Sequence, residues 1–137
     1  MSLHNDAIRN VAEKYRLQLV YAFGSRAAEA LDVIEGREEH LAATPSDLDI
    51  GVKSEKKLSV EEKVEIAIFF EDIFDLSRVD VVVIDEAPVF LAFEIVTGEL
   101  LYCQDEIFEA NYQLYIMAQA ADLKPYERMK IAMIMGE

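Results

Sequence analysis

A chain of 137 residues is long enough for one ordinary domain with a real core and too short for two, so residues 1–137 are expected to form a single domain. Hydrophobic residues make up 53% of it, so it should fold, yet no run of about 18 apolar residues offers a membrane span. One cysteine, Cys103, excludes an intrachain disulfide and a cysteine-built zinc site, and a formal net charge of −14 repels free nucleic acid while attracting metal cations or a basic protein partner.

Residues Met1–Arg16 are charged and amphipathic and lack a signal-peptide core, which points to the cytoplasm. Ile8, Val11, Ala12 and Tyr15 recur at helical spacing, predicting a helix from Asn5 to about Leu17. Gln18–Phe23 reads as a short apolar strand ended by Gly24-Ser25. Ala27, Leu31 and Ile34 mark a helix that Gly36 should break. Arg37–Pro45 is polar and poorly patterned and reads as a loop. Ser46–Lys53 is the second predicted strand.

Ser59 followed by Glu62 fits a capping box, opening a helix to about Phe74 that buries parts of Ile66, Phe69, Phe70 and Ile73. Arg78–Ile84 is a third strand, and its near-continuous Val/Ile predicts burial on both faces. Pro88 should start a helix ending at about Val96, before Gly98. Leu100–Cys103 is a fourth strand. A helix from Gln104 to about Leu123 follows, with Pro125 expected to interrupt it before a Met-rich segment. The core spans about residues 5–103 and the C-terminal helical segment about 104–135. The order predicts a small α/β (α+β) fold, a mixed sheet of about four strands with helices packed on it.

Asp47 and Asp49 carry the chemistry. Residues i and i+2 on a strand share a face, and two bare carboxylates so placed repel each other and are costly to desolvate. Asp80 sits in the Val-rich third strand. If that strand lies beside the second, three carboxylates converge on one patch, where hard divalent cations with oxygen ligands would balance them. Two Mg²⁺ ions there could clamp the attacking and leaving oxygens of a phosphoryl transfer. Glycine at 24 lets the backbone approach a ligand, the start of the following helix offers N–H groups, and Ser25 adds a hydroxyl. Arg26 can reach phosphate or be structural. His4 and His40 lack metal-ligand spacing and read as surface residues. Asp85 points opposite to Asp80 by parity and reads as a turn residue. Lys53, Lys56 and Lys57 read as a solvated loop, and Cys103 as a small buried hydrophobe.

Phe23-Gly24-Ser25-Arg26, Ser46-Asp47-Leu48-Asp49-Ile50-Gly51-Val52, Val79-Asp80-Val81-Val82 and Gly98-Glu99-Leu100-Leu101-Tyr102 together resemble the minimal nucleotidyltransferases of the DNA polymerase beta superfamily. The resemblance covers roughly Asn5–Tyr102 and implies a polymerase-beta-like core. It implies that Gly24, Ser25 and Arg26 bind the nucleotide and that Asp47, Asp49 and Asp80 bind two Mg²⁺, Asp80 also helping to activate the attacking hydroxyl. The implied reaction transfers a nucleoside monophosphate, AMP from ATP, to an acceptor hydroxyl. Members of this family pair with small helical HEPN proteins as toxin–antitoxin modules, so the implied acceptor is a protein partner, a HEPN toxin.

The segment Arg26–Ser46 is longer than is usual in the family and carries Glu29, Asp32, Glu35, Glu38 and Glu39 in place of the usual Arg-x-Gly continuation. Two other readings stay open. A degenerate nucleotidyltransferase could act as a binding antitoxin, docking through Tyr112, Tyr115, Met117, Tyr126, Met129, Met133 and Met135. A small-molecule nucleotidyltransferase would need a substrate domain for which the chain is short.

Overall fold

The computed structural model describes residues 3–38, 41 and 47–135. His40, Ser46 and most of the Arg37–Pro45 loop lie outside the described residues, as do the side chains of Tyr126, Met129, Met133 and Met135. The element order is α1 (Leu3–Tyr15), β1 (Leu17–Phe23), α2 (Ala27–Ile34), β2 (Leu48–Ser54), α3 (Val60–Phe74), β3 (Val79–Val83), a 3-10 turn (Ile84–Glu86), α4 (Val89–Val96), β4 (Glu99–Cys103) and α5 (Glu106–Met135).

Local chemistry accounts for most boundaries. Ser59 caps α3: its hydroxyl accepts from the Glu62 N–H at 3.1 Å, and the Glu62 carboxylate accepts from the Ser59 N–H at 3.0 Å. Those bonds occupy two of the donors a helix start leaves open. Pro88 stands at the N-cap of α4, where its missing N–H costs nothing. In α1 the four residues at helical spacing, Ile8, Val11, Ala12 and Tyr15, are all buried.

The four strands form one mixed sheet in the order β3-β2-β1-β4. β1 runs antiparallel to both β2 and β4, and β2 runs parallel to β3. Alternation along β1 divides the core. Val20 and Ala22 pack with α1, α2 and α3 on one face, and Leu19, Tyr21 and Phe23 pack with α4 and α5 on the other. Gly51 lets α4 sit close to that second face, because a Cβ there would lie 2.3 Å from Ile95 Cγ2.

Five expectations need correction. β3 is an edge strand, so Val81 and Val82 are only half-buried rather than covered on both faces. α5 runs unbroken through Pro125 to Met135. A proline removes one hydrogen bond from the ladder, and the turns on either side keep the rest. Lys53 lies in β2, as the predicted strand bounds have it, but its side chain is not solvated: its Nζ lies 3.0 Å from Asp85 Oδ2. Cys103 and His4 are half-buried, the first less buried and the second less exposed than expected. Asp85 does lie in a turn, where it also accepts a 2.6 Å hydrogen bond from the Tyr112 hydroxyl. That bond and burial raise the Tyr112 phenol well above its usual range.

Among the described residues, no helix is long and apolar enough to cross a membrane.

Candidate active site

The parallel pairing of β2 with β3 sets Asp49 directly opposite Asp80. Paired residues of neighbouring strands project to the same face, so both carboxylates emerge on the side covered by α4 and α5. Asp47 lies just before β2 and is exposed. The site therefore forms at the end of the sheet where β2 and β3 begin and β1 finishes.

Three neighbouring carboxylates act on Asp49. Asp49, half-buried, has its carboxyl held above the ordinary aspartate range, first by burial and then by the negative charges of Asp80, Asp47 and Glu94. Glu94 comes from α4 and carries no signal in the strand motifs. Arg78 Nε lies 3.4 Å from Asp80 Oδ1 and 3.6 Å from Asp47 Oδ2, so its guanidinium stands between these two carboxylates. A signal for Arg78 existed in the chain: it is two residues before Asp80 and so shares its face.

Gly24 and Ser25 form the turn that follows β1, and Phe23 pairs with Asp49 across the sheet. Gly24 has φ +78°, in the left-handed region that suits glycine. A Cβ at that position would lie 2.8 Å from Asp49 Oδ2. The turn therefore touches the carboxylate cluster, with the Ser25 side exposed above it. Arg26 is buried, 3% exposed, and its Nη2 lies 3.3 Å from Glu29 Oε2. That burial suits support of the turn more than contact with phosphate.

Among the described residues no three His, Cys, Asp or Glu side chains are gathered closely enough to hold a metal ion as they stand. The donor set nevertheless fits a hard divalent cation. It is all oxygen, it lies on one face, and burial together with the neighbouring negative charges holds the Asp49 carboxyl up, a charge burden a cation would relieve. Asp47, Asp49 and Asp80 are the residues that would hold it. A cavity of about 410 Å³ between α1 and α3, lined by Val11, Lys14, Phe69 and Ile73, lies against the other face of the sheet and takes no part in this cluster.

The family model for polymerase beta nucleotidyltransferases matches residues 6–107, which include every one of these site residues. The chain belongs to the polymerase beta nucleotidyltransferase family. No curated protein sequence matches it. Solved structures similar to it over nearly its full length include a toxin–antitoxin complex with AMP-PNP (TM-score 0.70, 22% identity, 97% of this chain and 99% of that one). Another is the tri-AMPylated HEPN toxin of Shewanella oneidensis with its MNT antitoxin (TM-score 0.69, 22% identity, 97% of each chain). A third is an MntA–HepT variant in which two aspartates at i and i+2 are changed to glutamate (TM-score 0.70, 20% identity, 96% of this chain and 98% of that one). At such identities the likeness is one of fold.

Proposed function

We propose that this single-domain, cytoplasmic nucleotidyltransferase transfers AMP from ATP to a hydroxyl of a protein partner of the HEPN type, acting as the antitoxin of the pair. The observation that carries this reading is the pairing of Asp49 with Asp80, with Asp47 and the Gly24 turn beside them. The AMP-PNP and tri-AMPylated complexes of similar fold support the nucleotide and the acceptor class.

In this reading Gly24 brings backbone N–H groups close to the triphosphate, and the Ser25 hydroxyl donates a hydrogen bond to it. Two Mg²⁺ ions held by Asp47, Asp49 and Asp80 would supply the positive charge that offsets the developing charge on the attacking and leaving oxygens. Asp80 accepts the proton of the acceptor hydroxyl. The acceptor oxygen forms a bond to the α-phosphorus, the α–β phosphoanhydride bond breaks, and pyrophosphate leaves with the electron pair. Net charge of −14 favours an acceptor segment with basic residues and disfavours nucleic acid as acceptor.

The test is transfer of label from α-labelled ATP to the protein encoded beside this one. Asp47→Asn and Asp49→Asn should each lower transfer by at least about 10²-fold, the scale expected when one charge-stabilising group is removed. Full activity in both variants would refute the assignment.

One observation favours a second reading, a scaffold that neutralises its partner by covering it without transferring AMP. Arg78 already balances two of the three carboxylates. Tyr115 and Met117 are also exposed on α5, whereas Tyr112 is buried in the core. Calorimetry separates the readings, since the enzyme binds ATP with Mg²⁺ and the scaffold does not.

A further inference from the structure

We propose that Arg78 is a displaceable counter-ion that competes with the divalent cation for Asp47 and Asp80, and so sets the cation concentration at which the site loads. The proposal rests on the metal-dependent reading above. It goes beyond that reading by giving a role to a residue outside the carboxylate set.

Arg78 immediately precedes β3, so by strand alternation it projects from the same face as Asp80. Its Nε reaches both Asp80 Oδ1, at 3.4 Å, and Asp47 Oδ2, at 3.6 Å. These are the oxygens a cation would need. Arg78 forms ion pairs with Asp47 and Asp80 and none with Asp49. The guanidinium thus neutralises the two outer carboxylates and leaves the inner one available as a first ligand.

The same geometry makes the arrangement reversible. The Arg78 side chain is 68% exposed, and both contacts are long. Exposed pairs of this kind are weak, and water can replace the carboxylates around the released guanidinium. β3 is an edge strand, so Arg78 can swing outward without disturbing a neighbouring strand. Lys53, the cation on the same face of β2, is already committed to Asp85 at 3.0 Å and is no substitute.

A doubly charged ion on Asp49 repels the guanidinium and competes for Asp47 and Asp80 with twice its charge. Arg78 therefore holds the carboxylates near one another before loading, at the expense of cation affinity. Removing its charge should tighten cation binding and make the metal-free protein less stable.

The experiment titrates the full chain with Mn²⁺ alone, without nucleotide, reading free Mn²⁺ by electron paramagnetic resonance. Arg78→Gln should bind about 1.5- to thirtyfold more tightly than the unaltered chain, the range for losing one or two exposed ion pairs. Arg78→Lys should stay close to the unaltered chain. Thermal melting gives a second readout: Arg78→Gln should melt lower without divalent cation and gain more from added Mg²⁺. Equal or weaker Mn²⁺ binding by Arg78→Gln overturns the proposal while leaving the metal site intact. Absence of Mn²⁺ binding in all three proteins overturns the metal reading and the proposal with it. If Arg78→Gln changed ATP affinity but not Mn²⁺ affinity, the residue would be a nucleotide contact and the proposal would fail.

Discussion

Gly24→Ala tests the site at the point where backbone conformation and carboxylate chemistry meet. Gly24 has φ +78°, and an alanine held there adopts the left-handed conformation at about 1–2 kcal/mol. The new methyl would also lie 2.8 Å from Asp49 Oδ2, well inside ordinary contact. Asp49 has little room for a favourable retreat, because Asp80, Asp47 and Glu94 already surround it with negative charge. Adding a modest packing term, the variant should lose about 1–3 kcal/mol, or roughly 3–10 °C in melting temperature for a chain of this size. Urea unfolding followed by circular dichroism measures the loss, with the slope m expected to stay constant. The second consequence is functional. On the proposed function a displaced turn would withdraw its backbone N–H groups from the triphosphate, so calorimetric affinity for ATP with Mg²⁺ should fall at least about tenfold, the loss expected from one weakened charge-assisted hydrogen bond. If Gly24→Ala stayed within about 0.5 kcal/mol of the unaltered chain, the level of an ordinary surface substitution, and bound ATP equally well, the turn would not be packed against the site as described.

Asp49→Asn should raise stability at neutral pH in the absence of divalent cation, while lowering the proposed transfer. The Asp49 carboxyl is held above its ordinary 3.8, so as pH rises the unfolded chain releases this proton first and gains relative to the folded one. The advantage of asparagine should therefore be complete at pH 7 and vanish as pH falls below 3.8, measured by denaturant midpoints across that range. A pH-independent difference would mean that charge is not the cause. Ser59→Ala should cost about 1 kcal/mol through loss of the α3 cap. Denaturant unfolding checks it, and a change under about 0.3 kcal/mol would place the capping box outside the stability of the fold.

Much of the fold was legible because its signals are local. The α1 stripe, the Ser59–Glu62 box and Pro88 before α4 each act within one or two turns, and each falls where the chain pattern places it. What misled were properties no single segment contains. Val79–Val83 looks like a central strand, since a Val run suits burial on both faces, but only the strand order makes it an edge. Lys53 pairs with Leu19 of β1 as the end of the predicted second strand, yet its solvated look was misleading, because Asp85 in the turn after β3 takes up its charge. Pro125 is a strong breaker in isolation, and here the helix on both sides outweighs it.

The site divides along the same line. Asp49 and Asp80 stand out as charges between apolar strand residues, where burial is costly, whereas Asp47 is marked only by its i, i+2 spacing from Asp49. Their meeting depends on the register that sets Asp49 opposite Asp80, which is a long-range fact. A shift of one residue in that pairing would send Asp80 to the α1–α3 face and replace it with Val79 or Val81 beside Asp49. The hydrophobic residues of β3 therefore do more than fill the core. Val79 and Val83 are buried and pack with α1, α2 and α3, while Val82 packs with α4 and α5, and these contacts hold the register that brings the carboxylates together. The carboxylate cluster is thus encoded as much in the valines around Asp80 as in Asp80 itself.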